Sequence, residues 1–218
     1  QNLYLNQTNV CRVKCKFCAF AATRKQEHAY TFTSEELAED VLRQREVTGF
    51  TEIHMVNGES PHVDFDFYRD TTAALHDALP DVHLKLYTAS EIHHMTTLSG
   101  LTHEEVLREL QSVGLGSLPG GGAEIFAERV REKIAHDKCG SDRYLEIHRI
   151  AHRLGLRSNV TMLYGHIETA EERVDHMLRA RSALRVVRGE IASGSIRSSS
   201  SAGRPAASAR SKEGAKPS

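Results

Sequence analysis

The chain has 218 residues, 39% hydrophobic and 26% charged, with 28 Lys and Arg against 29 Asp and Glu for a net charge of -1. That balance gives no general attraction to nucleic acid or an anionic membrane, and no apolar run approaches the ~20 residues of a membrane span. The opening Gln1-Asn2-Leu3-Tyr4 has neither the basic start nor the long apolar stretch of a signal peptide, so the expected location is the cytoplasm.

Residues 1–181 alternate short apolar runs with amphipathic stretches. Asn2 to Asn9 reads as a strand that ends just before Cys11. Thr33-Ser34-Glu35-Glu36 is a capping box, and it opens a helix to about Val47 that Gly49 stops. Thr51 to Val56 reads as a second strand, Asp64 to Leu79 as a helix stopped by Pro80, and Val82 to Tyr87 as a third strand. A capping box at Thr102 to Glu105 begins a helix to about Val113, and Leu115 to Leu118 is a short fourth strand. Asp142 to Leu154 is a helix closed by Gly155, Arg157 to Leu163 a fifth strand, and a further helix begins at Thr169. This order predicts parallel βα units with right-handed crossovers, either doubly wound or closed as a barrel. The dinucleotide fold expects G-x-G-x-x-G after its first strand, and cysteines stand there instead. The expectation is therefore an α/β fold, a full or partial (β/α) barrel of about five units.

From Ser182 onward aromatics disappear, and Ser, Ala, Arg and Gly dominate. A stretch of that kind cannot bury enough apolar area to offset the entropy of ordering it. Residues 182–218 are therefore expected to form a disordered, solvated tail.

Four cysteines are too few, and too crowded, for a secreted disulfide scaffold. Cys11, Cys15 and Cys18 lie within eight residues and can wrap one compact metal centre. A zinc ion would need a fourth protein ligand, which only His28, Cys139 or a distant histidine could supply. A [4Fe–4S] cluster held by three cysteines keeps one iron open to a non-protein ligand. Phe17, beside Cys18, would shield such a cluster. The loop follows a strand, at the end where barrel active sites lie. The other strand ends carry polar and glycine-rich turns. They are Asn57-Gly58-Glu59, Thr88 to Glu91 with His93-His94, Gly120-Gly121-Gly122-Ala123-Glu124, and Tyr164-Gly165-His166 beyond Asn159 and Thr161. The triple glycine lacks the Lys-Ser/Thr of a phosphate loop, and suits bare backbone around a ribose or carboxylate. His148 and His152 share a helix face but lack the following glutamate of a zinc helix.

The C-x-x-x-C-x-aromatic-C loop after the first strand resembles the radical S-adenosylmethionine (SAM) superfamily. The resemblance implies a [4Fe–4S] cluster on Cys11, Cys15 and Cys18, with SAM bound to the open iron as co-substrate. It also implies that Asn57, Gly58 and Glu59 hold the SAM amino group, with Phe17 and Glu91 near the cofactor. Within the superfamily, Thr8 to Cys11, Cys15 to Phe20, Glu91 to His94, Leu118 to Phe126 and Asn159 to Thr169 are similar to the aminofutalosine synthases. That likeness implies addition of a 5′-deoxyadenosyl radical to 3-[(1-carboxyvinyl)oxy]benzoate in menaquinone biosynthesis. The cyclic dehypoxanthinyl futalosine synthases and the deazaflavin-forming enzymes are sister families. A small-molecule substrate and a reducing donor of flavodoxin or ferredoxin type would be the partners. The two substrate carboxylates would meet Arg129, His94 and His166, and Gly120, Gly121, Gly122, Asn159 and Tyr164 would line the substrate site. The usual Gly-Gly-Leu after the second strand is here Asn57-Gly58-Glu59, and a sixth strand is expected where the tail begins. Missing that strand, the chain is expected to be truncated and to turn over poorly.

Overall fold

The computed structural model describes residues 1–192, with side chains through Ala183. Five strands form one parallel sheet: β1 (Asn2–Leu5), β2 (Glu52–Met55), β3 (His83–Leu86), β4 (Ser117–Leu118) and β5 (Arg157–Ser158). Their spatial order is β1-β2-β3-β4-β5, the order of the chain. A doubly wound sheet reverses direction at a switch point, whereas a barrel steps one way round. The sequential order therefore makes this an open, partial (β/α) barrel.

Among the described residues, seven helices accompany the strands. They are α1 (Ser34–Thr48), α2 (Phe65–Ala78), α3 (Ala89–Ser99), α4 (His103–Ser112), α5 (Glu128–Ile134), α6 (Ser141–Arg153) and α7 (Ala170–Ala192). Local chemistry sets several of their ends. Thr33, Thr88 and Thr102 each accept from the backbone N–H three residues on, and Glu36, Glu91 and Glu105 reach back to the cap, closing three capping boxes. Asp64 caps α2, and Gly49 and Gly100 end α1 and α3 in the left-handed conformation that a Cβ penalises.

The pleat divides the strands by period two. Ile53, Met55, Leu84 and Leu86 turn outward and are buried under the helices together with Val41, Leu75, Val106, Leu110 and Ile147. The alternate residues Tyr4, His54, His83 and Lys85 turn to the concave face, away from that core.

Some boundaries moved. The first strand ends at Leu5 rather than Asn9, and the fifth at Ser158 rather than Leu163, because ladder pairing depends on neighbours that sequence does not show. Helices α3 and α5 were not expected; Ala127 opens α5 with no side-chain cap hydrogen bond to mark it. The last helix continues through Ala192, past the expected boundary at 181. The remainder of the expected tail lies outside the described residues.

Candidate active site

Beyond β1 the chain is held extended. Val10 bridges Ala22 and Thr8 bridges Thr31. Cys11 N donates to Ala22 O at 3.0 Å and Ala22 N to Asn9 O at 2.8 Å, so the ends of the loop 11–22 are tied together. Asn9 reinforces the base, accepting from Tyr30 N and donating to His28 O, each at 2.8 Å. The outer limb is pinned where Lys16 N donates to Ile134 O at 2.8 Å. Cys11, Cys15 and Cys18 all line one cleft of about 260 Å³ at the C-terminal ends of the strands. Burial raises the Cys11 thiol and pushes Cys15 up to about 11. Burial thus favours the neutral thiols, and a positive charge beside them would favour the thiolates.

Among the described residues no three Cys, His, Asp or Glu side chains close around a single point, as one metal ion requires. The ligands of an iron–sulfur cube each hold a different iron, so their sulfurs stand further apart than donors that share one ion. Three thiols on one cleft, with no fourth protein donor required, are the donor set of a cluster whose fourth iron stays open. The Glu59 amide donates to Cys11 Sγ at 3.3 Å, the kind of contact that tunes a cluster. Cys139 is buried in the core and does not line the cleft.

The turn after β2 presses against this loop. A Cβ on Gly58 would fall 2.4 Å from Val10 O, so only glycine allows that approach. Asn57 accepts from Gln7 N at 2.6 Å, while its Nδ2 is buried without a partner and Asn57 itself lines the cleft. Glu59 is 3% exposed and its carboxylate is engaged on both sides. Arg12 Nη2 lies 2.9 Å from Oε2, and Ser90 Oγ donates to Oε1. Arg12 N also donates to Glu59 O at 2.9 Å, and Arg12 Nε to His94 Nδ1 at 3.3 Å. His94 Nε2 then donates to Ser60 O at 2.8 Å, which fixes its tautomer. Glu91 is fully enclosed; it accepts from Asn57 N at 2.9 Å and from Thr88 N and Oγ1 at 2.8 Å. Burial outweighs those three donors and raises its carboxyl to about 7.

The glycine turn after β4 forms the opposite wall. Gly121 and Gly122 line the cleft, whereas Gly120 packs against the strand beyond β5, its carbonyl held by Tyr144 Oη and Thr161 Oγ1. Buried Arg131 braces the turn through Ala123 O at 2.6 Å and through Cys139 O. Glu124, at a φ of 48°, accepts from Lys138 Nζ at 2.6 Å. Lys138 also sits 5.8 Å from the centre of the Phe17 ring and offsets part of the upward shift on Cys15.

The expected residues divide accordingly. The three cysteines, Phe17, Asn57, Gly58, Glu59, Glu91, Gly121 and Gly122 share the cleft. The proposed carboxylate partners do not. His94 is buried in the Arg12–Ser60 chain of hydrogen bonds, Arg129 is tied to Glu172 at 2.7 Å, and His166 to Leu163 O and Glu168. Tyr164 is 65% exposed and Asn159 lies lower on the concave face, also apart from the cleft. Glu59 lines the cleft, and its Oε2, 2.9 Å from Arg12 Nη2, makes no hydrogen bond among the described residues. Sequence reading missed Arg12, Arg131 and Lys138; only the two charges flanking Cys15, Lys14 and Lys16, gave any hint of a basic surround.

The Radical SAM superfamily pattern matches residues 5–180. The chain is 48% identical over 180 residues to aminodeoxyfutalosine synthase of Thermus thermophilus and 44% to that of Streptomyces coelicolor. These alignments cover 83% of this chain and 48% and 46% of the relatives, so the chain spans about half the length of the curated relatives it matches. A 5-amino-6-(D-ribitylamino)uracil–L-tyrosine 4-hydroxyphenyl transferase of Methanopyrus kandleri is 39% identical over 180 residues, covering 83% of this chain and 48% of its own. In fold, a methylornithine synthase crystal structure superposes with a TM-score of 0.68 at 16% identity, covering 84% of this chain and 50% of that one. With the cysteine cleft at the strand ends, these likenesses place the chain in the radical SAM superfamily.

Proposed function

We propose that the chain carries the cluster-binding and SAM-binding part of an aminodeoxyfutalosine synthase. Cys11, Cys15 and Cys18 would hold a [4Fe–4S] cluster, and the cleft bounded by Asn57, Glu91, Gly121 and Gly122 would hold SAM. The cluster and SAM, when bound, would supply a 5′-deoxyadenosyl radical for addition to 3-[(1-carboxyvinyl)oxy]benzoate, giving 6-amino-6-deoxyfutalosine in menaquinone biosynthesis. A reduced flavodoxin or ferredoxin would be the electron source.

The residues present suit these tasks. The unpartnered Asn57 Nδ2 is a donor already desolvated, so a ligand carboxylate or hydroxyl would meet it at little further cost. Gly121 and Gly122 let a sugar approach backbone, and the Phe17 ring lines the same cleft beside the cysteines. Arg12 and Glu59 neutralise one another, so they fix the loop without adding net charge beside the cysteines.

The observation that carries this reading is the 48% identity over the segment that holds every wall of the cleft. The deazaflavin-forming transferases, at 39%, support a second reading on the same cofactors. Anaerobic reconstitution followed by SAM cleavage assays, with the enol ether or with tyrosine and the ribitylaminouracil, separates the two. Cleavage to 5′-deoxyadenosine stimulated only by the enol ether supports the first. A colourless protein with about one zinc and no iron would overturn both.

A further inference from the structure

The strand register places five inward side chains in one row across the whole sheet. Tyr4 pairs with His54, His54 with Lys85, Lys85 with Ser117, and Ser117 with Arg157. A filled barrel interior takes layers of Val, Ile and Leu. This layer instead holds two rings, two cations and a hydroxyl, and a cavity of about 400 Å³ opens at its Lys85, Ser117 and Arg157 end, lined also by Glu52, His83 and Asn159.

The row is built rather than incidental. Lys85 Nζ donates to Glu52 at 2.9 Å, and His83 Nε2 and Ser117 Oγ are 2.7 Å apart. The His83 ring occupies space that a Cβ on Gly116 would invade, at 2.6 Å. The Tyr4 and His54 rings lie 5.7 Å apart at a tilt of 54°, and burial holds His54 toward its neutral form. The charges do not cancel. Lys85 is offset by Glu52, whereas Arg157 makes no ion pair among the described residues. At the other end of the row, Tyr4 lines the cysteine cleft.

From this we infer that the inward row binds an aromatic carboxylate, deepening the functional reading above, on which the identity of the ligand rests. Arg157 receives a carboxylate, with Ser117 as a second donor. Lys85 has two N–H groups beyond the one given to Glu52, and stands two strands from Arg157, about 10 Å away, so a ligand with two separated acids can span them. Tyr4 and His54 take the ring at the end nearest the cysteines. The residues expected from sequence for this task, Arg129, His94 and His166, all point elsewhere and are engaged.

The test is a titration of the full chain with 3-(carboxymethoxy)benzoate, an unreactive dicarboxylate, followed by calorimetry and by shifts of the Tyr4 and His54 resonances. Arg157→Gln should weaken binding roughly tenfold or more, as loss of a charge-assisted hydrogen bond does. Arg157→Lys should keep most of it, Lys85→Met should weaken it less than Arg157→Gln, and the dimethyl ester should not compete. Urea midpoints of the variants check that they fold. Equal binding by Arg157→Gln, or competition by the diester, overturns the inference, as does absence of binding to the unaltered chain. Whether the reconstituted, unaltered chain cleaves SAM is read separately. A chain that binds the dicarboxylate through Arg157 but cleaves no SAM keeps the row and refutes the enzyme reading instead.

Discussion

The two ends of the Arg12–Glu59 pair differ in what remains when the other is removed. The Glu59 side chain is 4% exposed and that of Arg12 38%. Arg12→Met leaves a buried carboxylate with the Ser90 hydroxyl as its only side-chain donor, and takes the Nε donor from His94. Removing one partner of a fully buried pair costs about 3–5 kcal/mol. Because the Arg12 end is partly hydrated, about 2–3 kcal/mol is expected here. Glu59→Leu leaves a guanidinium that can turn to water, and should cost only about 1 kcal/mol. The double variant should recover most of the loss from Arg12→Met, a coupling of about 1–2 kcal/mol. Urea unfolding of the cluster-free chain measures all four corners of the cycle. The same variants should also take up less iron on reconstitution, since Arg12 lies between two of the cysteines proposed to hold the cluster. Equal losses from Arg12→Met and Glu59→Leu, or strict additivity, would refute the argument that burial of the carboxylate dominates.

Three further outcomes follow from other residues. Glu91, raised to about 7 by burial, holds its proton to higher pH when folded than when unfolded, so its contribution is full at low pH and is lost as pH rises from about 4.5 to 7. About 3 kcal/mol is at stake, and Glu91→Gln should flatten that slope in stability measured from pH 5 to 8; an unchanged slope would assign it elsewhere. Gly58→Ala drives a Cβ onto the Val10 carbonyl, and should cost about 1–3 kcal/mol and displace the cysteine loop, read as lost iron uptake and shifted Cys11 amide signals; normal uptake would show that the turn can yield. Alanine at Cys11, Cys15 or Cys18 should abolish the brown chromophore, while Cys139→Ala should leave it and lower only the unfolding midpoint; a colourless Cys139→Ala would make it a ligand.

Much of this was legible in the chain itself. Cys11, Cys15 and Cys18 needed only their spacing, and the capping boxes at Thr33 and Thr102 depend on residues three apart, so local order fixes both. The alternation of βα units foretold a parallel sheet, although only the strand order separated a barrel from a doubly wound fold. Helix α3 escaped notice because His93, His94, Thr96 and Thr97 blur its apolar period, even though Thr88 and Glu91 box its start. The long-range pairings could not be read at all. Arg12 meets Glu59 across 47 positions, Lys138 meets Glu124 across a helix, and Tyr4, His54, Lys85, Ser117 and Arg157 share one layer through register alone. Short-range chemistry decides caps, turns and ligand spacing, and is written in neighbouring letters. Which charge faces which, and how far water is kept from it, is decided only when distant strands are brought side by side.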